Sequence, residues 1–319
     1  MQAHRCLYCY QILEKEGADF HEKCSRDFFG TTNPPGLEYN SEEMLELAKE
    51  IVVRSIAVTG VQPKLSLDLQ KDTKDPKKSR LTIVGLWGAY ILKPPTGSFP
   101  HLPENEDLTM HLSKLMDIPT AKHSLIRLKS GELAYITKRF DRQGQEKLAQ
   151  EDMCQLTETL TEDKYRSSME KVGKHILKYS SRPGLDAVTY FEMALLCFLT
   201  GNADMHLKNF SLLTTKDQQV ILSPAYDLLS TKVAIPEDAE EMALTINAKK
   251  RKIRRADFMA LAKTLTIPER SAENSLRKLA GLLPEIYRWI EISFLPEEQK
   301  ESYSGIVKER AGKLGAVVN

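Results

Sequence analysis

Gly201-Asn-Ala-Asp-Met-His-Leu-Lys-Asn209, followed after a short polar gap by Ser223-Pro-Ala-Tyr-Asp-Leu-Leu-Ser230, decides how this chain is read. Asp204, an Asn five residues later and a second Asp eighteen residues after that supply three oxygen-bearing side chains. Such a set suits phosphoryl transfer, where catalysis is mostly positioning and charge neutralisation. Asp204 can accept the proton of an attacking hydroxyl, while Asn209 and Asp227 can hold Mg²⁺ on nucleotide phosphates. Lys208 either neutralises the transferring group or is a solvated side chain. His206, inside the loop, is expected to pack beneath it and fix its backbone at the nucleotide site, and Tyr226 is assigned to packing.

Upstream residues fit the same chemistry. Lys93, in Tyr90-Ile-Leu-Lys-Pro-Pro95 at the end of a predicted strand, can reach phosphates as a point charge, and Glu106 is the carboxylate to hold it. Thr59-Gly60-Val61-Gln62-Pro63-Lys64 precedes a strand and is either a phosphate-covering loop or a plain β-turn. Its lone glycine makes it neither a Walker A loop nor the three-glycine loop of ordinary protein kinases. Lys138-Arg-Phe140 can offer backbone N–H and C=O groups to an adenine ring. Arg139 and Arg142 serve there or in ion pairs with Asp141 or Glu151-Asp152.

The chain has 319 residues, 41% hydrophobic and 28% charged, with a net charge of +1. That is ordinary for a globular protein and gives no ground for a basic nucleic-acid binder. No apolar run approaches the roughly 20 residues that cross a bilayer, and residues 1–6 lack a signal-peptide core, so a cytoplasmic location without membrane contact is expected. Five cysteines argue against a disulfide framework, and Cys154 and Cys197 fall in apolar helical patterns as buried thiols.

Three stretches follow from pattern: a Cys/His-containing head and linker over 1–40, a β-rich lobe over 41–145, and a helical lobe over 146–319. In the β-rich lobe, Ser41 is expected to cap a helix running to Ile51, and Leu65, Leu67 and Leu69 alternate as in a strand. Leu81–Val84 and Ala89–Leu92 read as a hairpin around Gly85–Gly88, followed by a helix over 104–116 and strands near 121–128 and 132–139. The helical lobe should hold helices over 149–158, 166–180, 185–200, 256–265, 268–290 and 295–313, with a hairpin near 210–222. The fold class is α+β, a bilobed protein-kinase-like fold with a β-rich N-lobe and a helical C-lobe.

Several strings, in order, resemble the HipA-like toxin kinases, the serine/threonine kinases of bacterial toxin–antitoxin systems. They are Thr-Gly-Val-Gln-Pro-Lys64, Tyr-Ile-Leu-Lys-Pro94, Glu-Asn-Glu106, Lys-Arg-Phe-Asp-Arg142, Gln150-Glu-Asp-Met-Cys-Gln155, Lys164-Tyr165, the Gly201 loop and Pro-Ala-Tyr-Asp227. The resemblance implies ATP- and Mg²⁺-dependent phosphorylation of a protein hydroxyl, with an aminoacyl-tRNA synthetase as the expected substrate. It also implies self-phosphorylation in the Gly-rich loop. Where many members carry serines, this chain has Ala57 and Thr59, leaving Thr59 as the favoured acceptor and Ser55 in reserve. Because the loop begins near residue 55, the chain resembles the short HipT type, for which a small HipS-like protein supplies the N-terminal subdomain beside a DNA-binding HipB-like antitoxin. The kinase itself then need not bind nucleic acid. A small-molecule phosphotransferase and a non-catalytic nucleotide-binding subunit of a repressor complex are the alternatives.

Two features stand outside this reading. Cys6-x2-Cys9-x11-His21-x2-Cys24 has spacing that suits either a structural Zn²⁺ site or packed thiols in a small apolar head. Lys249-Lys-Arg-Lys-Ile-Arg-Arg255 is either a solvated loop or a docking site for an acidic partner.

Overall fold

The structure, a computed structural model, describes residues 4–54, 63–72, 75, 79–84, 88–143 and 146–316. Ser55, Thr59, Gly60, Val61 and Gln62 lie outside the described residues. Contacts divide the chain into two units, Met1–Asp107 with Ala121–Phe140, and Leu108–Thr120 with Asp141–Asn319. Residues 1–40 fall inside the first unit, and the division passes within a helix near Asp107 and again after Phe140.

In the first unit, α1 (Glu22–Phe29) and α2 (Ser41–Arg54) precede β1 (Leu65–Gln70), β2 (Arg80–Ile83) and β3 (Tyr90–Lys93). Then come α3 (Leu102–Leu115), β4 (His123–Arg127) and β5 (Leu133–Lys138), with α3 shared between the two units. The strands form one antiparallel sheet in the order β2-β1-β3-β5-β4. Asn40 rather than Ser41 caps α2. Its side chain accepts from Glu43 N at 2.8 Å while Glu43 returns to Asn40 N at 2.9 Å, so the reciprocal acid three residues on selects the cap.

The hairpin expected from Leu81 to Leu92 does not form. β2 and β3 lie on opposite sides of β1, where Leu67 faces both Ile83 and Tyr90. Leu65 and Leu67 are fully buried, so β1 is a central strand that needs a partner along each side. Gly88 makes the approach to β3 possible. Its N–H donates to Ser66 Oγ at 3.0 Å, and a Cβ there would lie 2.4 Å from the Leu67 carbonyl oxygen.

Residues 4–40 cover both outer strands. Leu125 N on β4 donates to Leu7 O at 3.2 Å, and Leu81 N on β2 donates to Gly36 O at 2.9 Å. Edge groups that could recruit another chain are thereby occupied. Phe28 and Phe29 sit edge to face at 4.7 Å, and both pack on Tyr90.

The second unit opens with the short pair β6 (Arg142–Gln143) and β7 (Glu146–Lys147), then β8 (Gln150–Asp152) and α4 (Met153–Leu156). α5 (Met169–Tyr179), α6 (Pro183–Leu199), β9 (Ser211–Thr214) and β10 (Val220–Leu222) follow. α7 (Thr231–Ala234), α8 (Arg255–Thr264), α9 (Glu269–Ile292) and α10 (Glu297–Leu314) complete it. The helix expected over 149–158 is confined to Met153–Leu156, with a strand over Gln150–Asp152 in place of its first part. Gln150, Glu151 and Asp152 pair with Leu213, Leu212 and Ser211, and only then does Asp152 cap α4 in a box with Gln155. Pairing with β9 outweighs local helix preference there. α6 is buried from Met193 through Leu199, and Phe191 and Phe198 meet Phe258 of α8 edge to face. A helix apolar on all sides belongs at a core, and α5, α8, α9 and α10 all contact it.

Gly88→Ala is expected to destabilise the protein by about 1–3 kcal/mol, since the added methyl meets backbone rather than a side chain that can swing away. A urea titration followed by circular dichroism reads this. An unchanged midpoint would contradict the close approach.

Candidate phosphoryl-transfer site

The central loop begins where α6 ends. Gly201 turns the chain with φ +68°, and a Cβ there would come within 2.9 Å of Lys232 Cβ and 3.0 Å of Ile306 Cγ2. Asn202, fully buried, accepts from Asp204 N through Oδ1 at 3.0 Å. Ala203 N donates to Thr231 Oγ1 at 2.8 Å. The Asp204 carbonyl accepts from His206 N at 2.8 Å and from Asn209 Nδ2 at 3.1 Å. Both backbone polar groups of Asp204 are therefore satisfied inside the loop. Its half-buried carboxylate accepts the hydroxyl proton of Tyr165.

Asn209 ends a single 3₁₀ turn, Leu207–Asn209. Because its amide nitrogen is committed to Asp204, Oδ1 is the atom it can offer a cation. Asp227 has φ +55°, a left-handed conformation that is costly for a residue other than glycine. Its neighbour Tyr226 does more than pack. The Tyr226 hydroxyl donates to Lys208 O at 2.9 Å and shares a 2.5 Å hydrogen bond with Ser211 Oγ, which also accepts from Gln150 Nε2 at 3.1 Å. Ala225 N is tied to Pro119 O at 2.7 Å. The residue preceding Asp227 is thus bound to the residue preceding Asn209. Two hard oxygen donors carried on tethered loops fit Mg²⁺.

His206 is buried, and burial lowers its pKa to about 4 against the opposing pull of Asp204 and Asp227. Its ring meets Tyr165 edge to face at 4.9 Å. A neutral imidazole here is a packing support beneath the loop, within electrostatic reach of both carboxylates. Lys208 Nζ lies 3.6 Å from Asp152 Oδ2, so the lysine is paired with the cap of α4. Burial, and then the hydrogen bond to Asp204, raise the Tyr165 phenol well above its ordinary value.

In the first unit, Lys93 Nζ meets Glu106 Oε1 at 2.5 Å, with 2% and 0% of the two side chains exposed. Such a pair is strongly destabilised by removal of either partner, which strands a buried charge. Lys64 is exposed at the start of β1. Lys138 N donates to Lys122 O at 2.7 Å and Arg139 N to Ala89 O at 2.9 Å, so those two amides are spent within the sheet and are not offered to an adenine ring. Phe140 is half-buried, and Arg142 pairs with Asp141 at 3.5 Å. Cys6, Cys9, His21 and Cys24 converge with ligand atoms within 4.8 Å of one another, and all five cysteines are free thiols. Half of the basic run is paired internally, Lys249 with Asp257, Lys250 with Glu240 and Arg255 with Glu273, while Arg251, Lys252 and Arg254 are exposed.

Sequence reasoning leaves Tyr165 and Asn202 without roles, and it offers Asp152 to Arg139 or Arg142 where the structure pairs it with Lys208. Asn202 had a signal, since an Asn two residues before a loop amide commonly closes an Asx turn. Tyr165 had none beyond its place beside Lys164, because its partner is 39 residues away.

With a folded pKa near 4 and an ordinary value of 6.5, His206 adds stability that is full above about pH 6.5 and is lost as the pH falls toward 4. His206→Gln should remove a slope on the order of 3 kcal/mol across that window. Unfolding free energies of the two proteins between pH 4 and 7 test this, and parallel curves would refute it.

Known proteins can now be set beside this geometry. The sequence matches the HipA-like C-terminal domain over residues 56–285. It is 28% identical over 209 residues to a candidate kinase of Haemophilus influenzae, covering 61% of this chain and 58% of that protein. It is 25% identical over 273 residues to the serine/threonine-protein kinase toxin HipA of Shewanella oneidensis, covering 77% of this chain and 60% of the toxin. The match thus spans only between half and two thirds of these curated relatives. The complex of Shewanella oneidensis HipA, HipB and operator DNA superposes with a TM-score of 0.68 at 21% identity, over 88% of this chain and 71% of that chain. At that identity the likeness speaks for the fold, a kinase-like α+β architecture. No described helix is long and apolar enough to cross a membrane. Since the family match takes in well over half of the 319 residues, the chain belongs to the family of the HipA-like C-terminal domain.

Proposed function

We propose that this chain is an ATP- and Mg²⁺-dependent serine/threonine protein kinase acting as the toxin of a cytoplasmic bacterial toxin–antitoxin system. The observation that carries the reading is the way Asn202 and Asn209 bond both backbone polar groups of Asp204 within the Gly201–Asn209 loop. That arrangement fixes Asp204 and Asn209 in place, and the Tyr226 hydroxyl on Lys208 O ties the residue before Asp227 to the residue before Asn209. Asp204 takes the proton from the attacking hydroxyl. Tyr165 holds that carboxylate in orientation through its hydroxyl. Asn209 and Asp227 hold the cation, which when bound neutralises the phosphate oxygens. Glu106 keeps the Lys93 ammonium fixed and charged for phosphate binding.

The regulatory role rests on kinship. The relative from Shewanella oneidensis is named a toxin, and its solved complex contains HipB and operator DNA. A DNA-binding HipB-like antitoxin is accordingly the partner we assign, with an aminoacyl-tRNA synthetase as substrate and Thr59 or Ser55 as the site of self-phosphorylation.

Intact mass before and after incubation with Mg²⁺ and ATP should show a gain of phosphate. Asp204→Asn and Asp227→Asn should each reduce transfer by at least about 10³-fold while leaving the fold intact. Retained transfer in either variant would overturn the assignment, and ATP turnover without protein phosphorylation would favour a small-molecule acceptor. Tyr165→Phe should lower kcat by roughly 10- to 100-fold with little change in the KM for ATP, as loss of orientation predicts. An unchanged kcat would assign Tyr165 to packing alone.

A further inference from the structure

The cluster in the first 24 residues has no part in phosphoryl transfer, yet its geometry is that of a built site. Cys6 and Cys9 share one tight turn, in which Tyr10 N donates to Cys6 O and Cys6 N to Gln11 O, both at 2.9 Å. Tyr10 closes that turn at φ +60°, a conformation L-residues seldom adopt. His21 is the N-cap of α1, and Cys24 lies in its first turn. From these two elements the ligand atoms of all four residues come within 4.8 Å of one another. His21 Nδ1 is 3.5 Å from Cys9 Sγ and 3.8 Å from Cys24 Sγ. In a tetrahedral zinc site with Zn–S about 2.3 Å and Zn–N about 2.0 Å, neighbouring donors stand about 3.5–3.8 Å apart.

The outer contacts agree. His21 Nε2 lies 3.1 Å from the carbonyl oxygen of Ile12. Donation there keeps the proton on Nε2 and leaves the Nδ1 lone pair aimed at the thiols, as second contacts around a metal-bound histidine do. Cys9 and Cys24 are only half-buried, so apolar packing does not account for them. The segment is also thin, with one helix of eight residues.

We propose that Cys6, Cys9, His21 and Cys24 bind a structural Zn²⁺ ion through three thiolates and one imidazole, releasing the thiol protons on binding. The ion holds Leu7 in place. The Leu7 carbonyl oxygen accepts from Leu125 N and from Ser124 Oγ, each at 3.2 Å, on the outer strand β4. The metal therefore anchors the segment that covers that edge. The proposal stands on the first unit alone and is independent of the kinase reading.

Metal analysis of the full chain, purified under reducing conditions without chelator, should give about one zinc per chain. Cys9→Ser and Cys24→Ser should each lower that to below about a tenth. Should those variants fail to fold, Co²⁺ titration of the chelator-stripped native chain decides: a tetrahedral thiolate–cobalt spectrum is expected. His21→Cys should shift it toward the four-thiolate form. Absence of both zinc and a cobalt spectrum in the folded native chain would overturn the proposal. So would undiminished zinc in the serine variants, or a disulfide among Cys6, Cys9 and Cys24 in place of the ion.

Discussion

The constraint on which the candidate site depends is that a catalytic loop must satisfy its own polar backbone without using the groups it presents. Asn202 and Asn209 solve this together, one holding the amide of Asp204 and the other its carbonyl. Asn202 can do so because it is fully buried and cannot drift to solvent partners. Tyr226 extends the clamp to the next loop, and the left-handed backbone at Asp227 is held by the same tether. The cost of that conformation, on the order of 1–3 kcal/mol, is borne by the surrounding packing.

Buried carboxylates organise the rest of the helical unit in a similar way. Asp186 is fully buried on α6, yet it accepts from Arg182 Nε, Ser180 Oγ and Leu222 N at 2.7–2.9 Å. It thus joins the start of α6 to β10. Glu241 accepts from Ile253 N and Lys313 Nζ, each at 2.7 Å, and lies 3.2 Å from Arg310. Chain that is neither helix nor strand is thereby fastened to α10. A buried charge is tolerable only when paired and hydrogen-bonded, so these sites fix connections that apolar contact alone would leave loose.

Most of this architecture was legible. The long helices α5, α6, α8, α9 and α10 lie within a few residues of their expected places. The failures share a cause. Strands near in sequence usually pair, which favours a hairpin over Leu81–Leu92, whereas β1 takes both strands as neighbours. Local pattern gives no sign that Gln150–Asp152 is a strand, because its pairing partner, β9, lies about 60 residues downstream. At the site, residue types and spacing named Asp204, Asn209, Asp227, Lys93 and Glu106. Tyr165 acts through a partner 39 residues away, and the contact of Asp152 with Lys208 is likewise too distant for motif spacing to reveal.

The cover over the two sheet edges bears on how the protein is made. Leu7 precedes its partner Ser124 by 117 residues, so it is translated well before the strand it covers. Until β4 has been synthesised, the opening segment cannot close over that edge. Contacts of such sequence separation carry a large loop-closure entropy and form slowly. The nascent chain must therefore pass through an interval in which β1, β2 and β3 exist with one side of their sheet incomplete, and the segment around Leu7 docks only after β4, made far later, is in place.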